Sequence, residues 1–201
     1  ELSDVLHERK LNISNEKKAE FIRFIIDWLG GKYMLDDNNN DGAYLLKMWT
    51  EINQLYPTRK SPMKLMRLVT LPIEYTNKKN ITLTSAGPIG RKVSSWSSTY
   101  FGIWSVQGIA NELDYGSDTC RVVIQTIIEP QYILANYNSI KKIFLSITSD
   151  FDYEKYEDGD YNYYGLEEEY LQDIGYIAET LEEASGGYGR QYEYIVINHP
   201  I

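Results

Sequence analysis

The chain has 201 residues, of which 43% are hydrophobic and 24% charged, a composition that suits one folded domain, or one domain with a small helical extension. A single cysteine, Cys120, excludes an intrachain disulfide and a cysteine-rich zinc site. The two histidines, His7 and His199, lie near the chain ends and leave little for histidine catalysis or metal binding. No apolar run approaches the roughly 18 residues that a membrane-spanning helix needs.

The net charge of −9 comes from one stretch of the sequence. Residues 150–185 hold 13 Asp or Glu and only Lys155, a net charge of −12, so the rest of the chain carries a net charge of +3. A charge run of this kind predicts a solvated surface insertion. Seven interleaved tyrosines argue against disorder, because disordered segments are poor in aromatic residues. Nucleic acid stays open as a partner, since the acidity is confined to this stretch.

The first 60 residues predict two helices. Ser14 can cap the first helix, which ends at Gly30, and Asp41 can cap the second, which stops before Pro57. Apolar residues recur at helical spacing in both. They are Ala19, Ile22, Ile25, Ile26 and Leu29 in the first, and Leu45, Met48, Trp49, Ile52 and Leu55 in the second.

From residue 61 the pattern changes to short apolar runs that are typical of strands. These runs lie at 65–71, 81–84, 120–128, 143–148, 174–178 and 192–197, with one further helix at about 101–113. Helices first and strands later predict an α+β fold. We therefore expect an N-terminal helical region at 1–60 and a second region at 61–201, which contains the acidic, Tyr-rich insertion at about 150–185.

Two segments resemble ligand-binding loops but lack a required residue. Segment 37–42 has the alternating oxygen ligands and the glycine of a calcium loop, but Met48 stands where the bidentate carboxylate is needed. This favours a helix-capping loop. The glycine-rich segment 186–189 has neither the following Lys-Ser/Thr nor the GxGxxG spacing of a phosphate loop.

Three polar features remain. Gln191 and Glu193 share one face of the last predicted strand, about 7 Å apart, directly after the glycine-rich segment. Arg67 lies inside the strand at 65–71, where a buried arginine needs an anion. Ser95 and Ser97 precede the helix at 101–113. Taken alone, these features read as an exposed carboxylate, an edge-strand arginine and a serine-rich turn.

Taken together, the order Arg67, Ser95-Trp96-Ser97 and Gln191-Tyr192-Glu193 resembles the mono-ADP-ribosyltransferases of the Arg-Ser-Glu class, which are cholera-toxin-like and Rho-exoenzyme-like. Short chains of this kind also resemble bacteriophage enzymes that modify host components. The resemblance spans about residues 63–201 and implies a split β-sandwich as the catalytic core. The chain departs from the family in two ways: Trp96 stands where threonine is usual, and about 95 residues separate the serines from Glu193, an excess that the acidic insertion would account for.

The resemblance implies that NAD is the substrate, that its nicotinamide–ribose bond is cleaved, and that ADP-ribose is transferred without a metal. Glu193 would stabilise the oxocarbenium-like transition state, and Arg67 would hold the NAD pyrophosphate. Ser95 would bind the nicotinamide ribose or orient Glu193, with Ser97 in support. The aromatic residue that stacks on nicotinamide would be Tyr100 or Phe101.

The acceptor is implied by the residues around the last strand. In the family, Glu two residues before the catalytic Glu accompanies arginine modification, whereas Gln191 resembles the enzymes that modify asparagine side chains or guanine bases. An amide both donates and accepts hydrogen bonds, which matches either acceptor. Tyr188 lies in the segment with which the family touches its target, where an aromatic ring can stack on a base or pack on a protein.

Two alternatives stay open at this point. The same fold with water as acceptor would be an NAD glycohydrolase, and a non-catalytic interaction module would use the Tyr-rich acidic surface instead. The protein or nucleic-acid nature of the acceptor is likewise open. The absence of disulfides favours the cytoplasm as the location, either of the producing cell or of a target cell.

Overall fold

A computed structural model gives the fold. It describes residues 11–34, 41–58, 61–77, 93–100, 118–159, 161–183 and 192–197. The predicted strand at 81–84, the predicted helix at 101–113 and the glycine-rich segment 186–189 lie outside these ranges. The chain divides into two compact units, of which the first comprises Glu1–Leu35 with Ile140–Glu183 and the second Asp36–Ser139 with Ala184–Ile201.

The first unit begins with helix α1, Asn15–Leu29. The predicted cap is confirmed, because the Ser14 side chain accepts a hydrogen bond from the Lys17 amide at 3.2 Å. The helix ends where predicted: the Gly30 amide donates to the Ile26 carbonyl at 2.8 Å. The buried face of α1 comprises Ala19, Phe21, Ile22, Phe24, Ile25 and Ile26.

Three more helices complete the described part of this unit. They are α3, Tyr137–Ile147, which begins just before the division; α4, Tyr153–Glu157; and α5, Glu168–Glu183. The strands predicted at 143–148 and 174–178 are therefore wrong, since both runs are helical. In α5 the buried residues are Tyr170, Leu171, Ile174, Ile177 and Leu181. The helical period of about 3.6 residues becomes visible only in a sequence window longer than the apolar run 174–178.

The second unit is built on a sheet of five strands. They are β1, Met63–Pro72; β2, Val93–Ser97; β3, Thr119–Ile128; β4, Ile133–Asn136; and β5, Glu193–Ile197. The spatial order is β3-β1-β2-β5-β4, and every neighbouring pair is antiparallel. Helix α2, Asp41–Leu55, packs against β4 and β2, and the Thr58 hydroxyl after it donates to the Ile133 carbonyl at 2.9 Å.

The sheet confirms the strands predicted at 65–71, 120–128 and 192–197, and adds β2 and β4, which were not predicted. One face carries an apolar cluster around Trp96, called the Trp96 cluster here. Its members are Met63, Leu65, Leu71, Trp96, Ile124, Ile128, Ile133 and Val196. The other face carries Met66 and Leu68, packed with Val123. These two sets alternate along β1, as a strand with both faces covered requires.

The fold is therefore α+β, as predicted, and its five-stranded sheet is antiparallel. In the two units, α2 groups with the sheet and residues 140–183 group with α1. The boundary after residue 60 stays a prediction. The acidic insertion is helical over much of its length. No helix in the described ranges has the length and apolar character that a bilayer crossing requires.

Candidate active site

Ser95 and Glu193 form the centre of the candidate site. The Ser95 hydroxyl donates to Glu193 Oε1 at 2.8 Å. Glu193 is 3% exposed and Ser95 is 7% exposed, so the bond lies almost entirely away from solvent. A carboxyl group at this depth needs hydrogen-bond partners, and the Ser95 hydroxyl provides one.

The sheet register explains how these side chains meet. Ser97 is opposite Glu193 and Ser95 is opposite Ile195, so Ser95 and Glu193 are diagonal neighbours on one face of the β2–β5 pair. Diagonal neighbours in an antiparallel pair are within reach of each other's side chains. Glu193 is the first residue of β5 and Ser97 the last of β2, which places the carboxylate at the end of both strands.

Ser97 shares this face but makes different contacts. It is fully buried, its hydroxyl donates to the Thr99 carbonyl at 2.9 Å, and it accepts from the Thr99 amide at 3.1 Å. These bonds fix the turn that ends β2. On the opposite face, Trp96 Nε1 donates to the Ser94 hydroxyl at 2.9 Å. The serines at 94 and 97 thus hold the strand and its end in place around Ser95.

Arg67 reaches the site from the other face of the sheet. It is opposite Ile124 of β3, which belongs to the Trp96 cluster. Its chain neighbour Met66 is opposite Ser97. Because side chains alternate along a strand, Arg67 projects from the face that carries Trp96. Its Nη1 nevertheless donates to the Ser95 carbonyl at 2.9 Å.

The position of that carbonyl follows from the hydrogen-bond ladder. The Ser98 amide donates to the Tyr192 carbonyl, in the same register as the β2–β5 pairs. Backbone groups of successive residues alternate between the two neighbouring strands. The Ser95 carbonyl therefore faces β1, the strand that carries Arg67.

The predicted site residues are thus brought together in part. Arg67, Ser95 and Glu193 lie on three neighbouring strands and are connected through Ser95. Tyr100 is 64% exposed, three residues beyond the end of β2. The other predicted residues, Phe101, Tyr188 and Gln191, lie outside the described part of the chain.

The sequence contained a signal for β2 that the serine-rich composition obscured. Val93, Ser95 and Ser97 lie on one face of β2 and Ser94 and Trp96 on the other, and all five residues of the strand are buried. Buried serines in a strand are unusual, and their presence beside a buried carboxylate marks this part of the sheet as a candidate site. Within the described ranges, no group of three or more His, Cys, Asp or Glu side chains is arranged to hold a metal ion.

The arrangement has a definite chemical capacity. A buried carboxylate whose one oxygen accepts from a fixed hydroxyl is held in one orientation before substrate arrives. Such a preorganised negative charge stabilises a positive charge that develops on a neighbouring atom, and in a dry site this effect is large. Comparison of the chain with models of protein families, with curated proteins and with solved structures finds no match in any of the three.

Proposed function

We propose that the protein is an NAD-dependent mono-ADP-ribosyltransferase, which transfers a pentosyl group from NAD to a macromolecular acceptor. The observation that carries the proposal is the 2.8 Å bond between the Ser95 hydroxyl and Glu193. The family motifs that the sequence resembles require a serine and a glutamate, 98 positions apart in this chain, to lie side by side. The contact supports the proposal because it joins two of the three motifs that carry the resemblance.

The fold is compatible with the proposal. The resemblance implies a split β-sandwich. The antiparallel sheet has its arginine, serine and glutamate on β1, β2 and β5, which are adjacent, with Ser95 and Glu193 on one face and Arg67 on the other. In the proposed enzyme this sheet is part of the catalytic core. The helical first unit is then an addition to it.

The proposed mechanism begins with loss of nicotinamide from C1′ of its ribose. The C1′–N bond breaks, both electrons leave with nicotinamide, and the ribose acquires oxocarbenium character. The Glu193 carboxylate stabilises that charge and accepts a hydrogen bond from a ribose hydroxyl. A nucleophilic atom of the acceptor then bonds to C1′ and releases its proton.

Two residues hold Glu193 in place for this step. Ser95 orients the carboxylate through its hydroxyl, and Arg67 fixes the backbone of Ser95 through its carbonyl. The contact of Arg67 with the pyrophosphate of NAD, which the resemblance implies, remains a prediction. Ser97 supports the end of β2, and stacking of Tyr100 or Phe101 on nicotinamide is likewise predicted.

The acceptor is proposed from Gln191 and Tyr188. An amide two residues before the catalytic carboxylate favours an asparagine-type side chain or a guanine base over arginine. We place this acceptor in the cytoplasm of the producing cell or of a target cell, since the chain has a single cysteine.

The first test is nicotinamide release from NAD by the wild type and by Glu193→Gln, with and without cell lysate. Removing the negative charge while keeping the shape is expected to lower release by about 100-fold or more. Glu129→Gln is the matched control, because Glu129 is exposed and lies outside the sheet. Equal release by Glu193→Gln and the wild type, or no release by the wild type, would contradict the proposal.

Label from NAD then identifies the acceptor class. Transfer to protease-sensitive or nuclease-sensitive material distinguishes protein from nucleic acid. Release without transfer in any lysate would instead indicate an NAD glycohydrolase. If the wild type does not bind NAD, and if Glu193→Gln has the same function as the wild type, the protein would be an interaction module.

A further inference from the structure

An open pocket lies in the first unit, between the start of α1 and the first part of the acidic stretch. Its volume is about 400 Å³. Its walls combine aromatic rings, amide side chains and one carboxylate: Asn15, Asp150, Tyr161, Asn162, Tyr163, Tyr164 and Gly165. None of these residues belongs to the proposed NAD site.

The carboxylate of Asp150 is fixed by two tyrosines. The Tyr163 hydroxyl lies 2.6 Å from Asp150 Oδ1, and the Tyr164 hydroxyl lies 3.1 Å from Oδ2. Partial burial raises the pKa of Asp150, but the hydrogen bonds from Tyr163 and Tyr164, together with the nearby charge of Lys18, outweigh this and hold the pKa below its usual value. The pocket therefore contains a permanent negative charge at neutral pH, in a single orientation.

The aromatic walls are equally fixed. Phe151 packs edge-on against Tyr163 with ring centroids 5.2 Å apart, and Tyr161 stacks on Tyr163 at 5.9 Å. Tyr164 has the left-handed conformation, with φ of 53°, which a non-glycine residue adopts only when its surroundings hold it there. The Asn162 side chain accepts from the Gly165 amide at 2.9 Å and closes the turn on one side.

This segment already binds basic side chains of its own chain. Lys18 Nζ lies 5.1 Å from the centroid of the Tyr164 ring and 3.3 Å from the Tyr164 hydroxyl. Arg23 donates to the Gly165 carbonyl at 3.2 Å and to Glu167 at 2.7 Å. Aromatic faces beside a carboxylate attract organic cations, because the ring quadrupole and the negative charge act together.

We propose that the pocket receives a lysine or arginine side chain of a protein partner. The cation would lie against the tyrosine rings and pair with Asp150, while the amides of Asn15 and Asn162 accept the remaining N–H groups. Charge complementarity supports a basic protein, since residues 150–185 carry a net charge of −12, and the same charge repels the phosphates of a nucleic acid. The inference does not depend on the NAD chemistry and its test measures binding alone.

The test is an NMR titration of the tyrosine ring signals of the full chain with capped amino acids. N-acetyl-lysine methylamide and N-acetyl-arginine methylamide are the probes, and N-acetyl-citrulline methylamide is the neutral match to arginine. We expect saturable shifts of the Tyr161 and Tyr164 signals with the two cations, and affinity for citrulline about 10-fold weaker, because a charge-assisted hydrogen bond is lost. Equal affinity for arginine and citrulline, or no shift with either cation, would overturn the proposal.

Two pairs of variants distinguish cation binding in the pocket from a general attraction of cations to the acidic stretch. Asp150→Asn is expected to weaken cation binding by about 10-fold, whereas Asp173→Asn removes the same charge from an exposed position of α5 and is expected to change binding less than 2-fold. Asn15→Arg places a cation at the pocket wall and is expected to weaken binding even if Asp150→Asn fails to fold. Asn12→Arg, an exposed position outside the pocket, is its control.

Two further results would contradict the proposed protein partner. Equal weakening by Asp150→Asn and Asp173→Asn would show that the acidic stretch attracts cations without a specific pocket. Tighter binding of spermidine than of both capped amino acids would assign the pocket to a free polyamine. Either result would overturn the proposed protein partner.

Discussion

Ser95 and Glu193 meet diagonally across two antiparallel strands, with Ser97 and not Ser95 directly opposite the carboxylate. This register assigns different tasks to the two serines of the Ser-x-Ser motif. Ser95 contacts the carboxylate, and Ser97 closes the turn at Thr99.

Ser95→Ala is expected to lower nicotinamide release by about 10-fold or more, because Glu193 loses the hydroxyl that orients it. Ser94→Ala is the matched control, since it makes the same change one residue earlier and on the other face. It removes the acceptor of Trp96 Nε1 and is expected to lower the free energy of unfolding by about 1–3 kcal/mol, with release per folded molecule retained. Steady-state kinetics and urea unfolding measure the two effects. Equal losses of release in both variants would show that the bond to Glu193 has no special role.

Arg67→Met is expected to lower the free energy of unfolding by about 1–3 kcal/mol, because the Ser95 carbonyl loses its guanidinium donor. Lys64→Met is the control, since Lys64 is an exposed cation on the same strand. Urea unfolding measures both. Unchanged stability together with a raised Kd for NAD would indicate that Arg67 acts on the pyrophosphate and not on β2.

Gln191→Glu is expected to lower transfer to the true acceptor while leaving nicotinamide release into water nearly unchanged. The reason is that a carboxylate only accepts hydrogen bonds, whereas an asparagine side chain or a guanine edge needs a partner that also donates. Labelled transfer and release are measured side by side on the same preparations. Unchanged transfer would remove the argument for an acceptor other than arginine.

Tyr163→Phe is expected to change how stability depends on alkaline pH. Burial, and then the hydrogen bond to Asp150, raise the pKa of Tyr163, so the folded state keeps a proton that the unfolded state releases above about pH 10. The stability that this proton contributes is present below pH 10 and is lost as pH rises further. In the variant, the fall in free energy of unfolding above pH 10 should be shallower by about 1.4 kcal/mol per pH unit.

Urea unfolding at several pH values between 9 and about 11.5 measures this slope. Tyr176→Phe is the control, because it removes the same hydroxyl from a side chain that is 69% exposed. Identical slopes for Tyr163→Phe and Tyr176→Phe would contradict the burial of the Tyr163 hydroxyl.

The two strands that were wrongly predicted show how a short apolar run misleads. Ile174 and Ile177 belong to a run that a strand could bury, but Tyr170, Leu171 and Leu181 extend the pattern at helical spacing. A window of five residues cannot distinguish the two periods, and a window of twelve can. The opposite error occurred in β2, where serines at buried positions suggested a turn.

Local sequence determined the parts of this protein that depend on neighbouring residues. The cap at Ser14, the end of α1 at Gly30, the buried face of α2 and the strand around Arg67 follow from caps, breakers and periodicity within one or two turns. Only the tertiary structure decided which strands are neighbours, because the pairing of β2 with β5 joins residues about a hundred positions apart. It also placed Arg67 and Glu193 on opposite faces of the sheet, since the face of a side chain depends on the register between strands, which no short segment specifies.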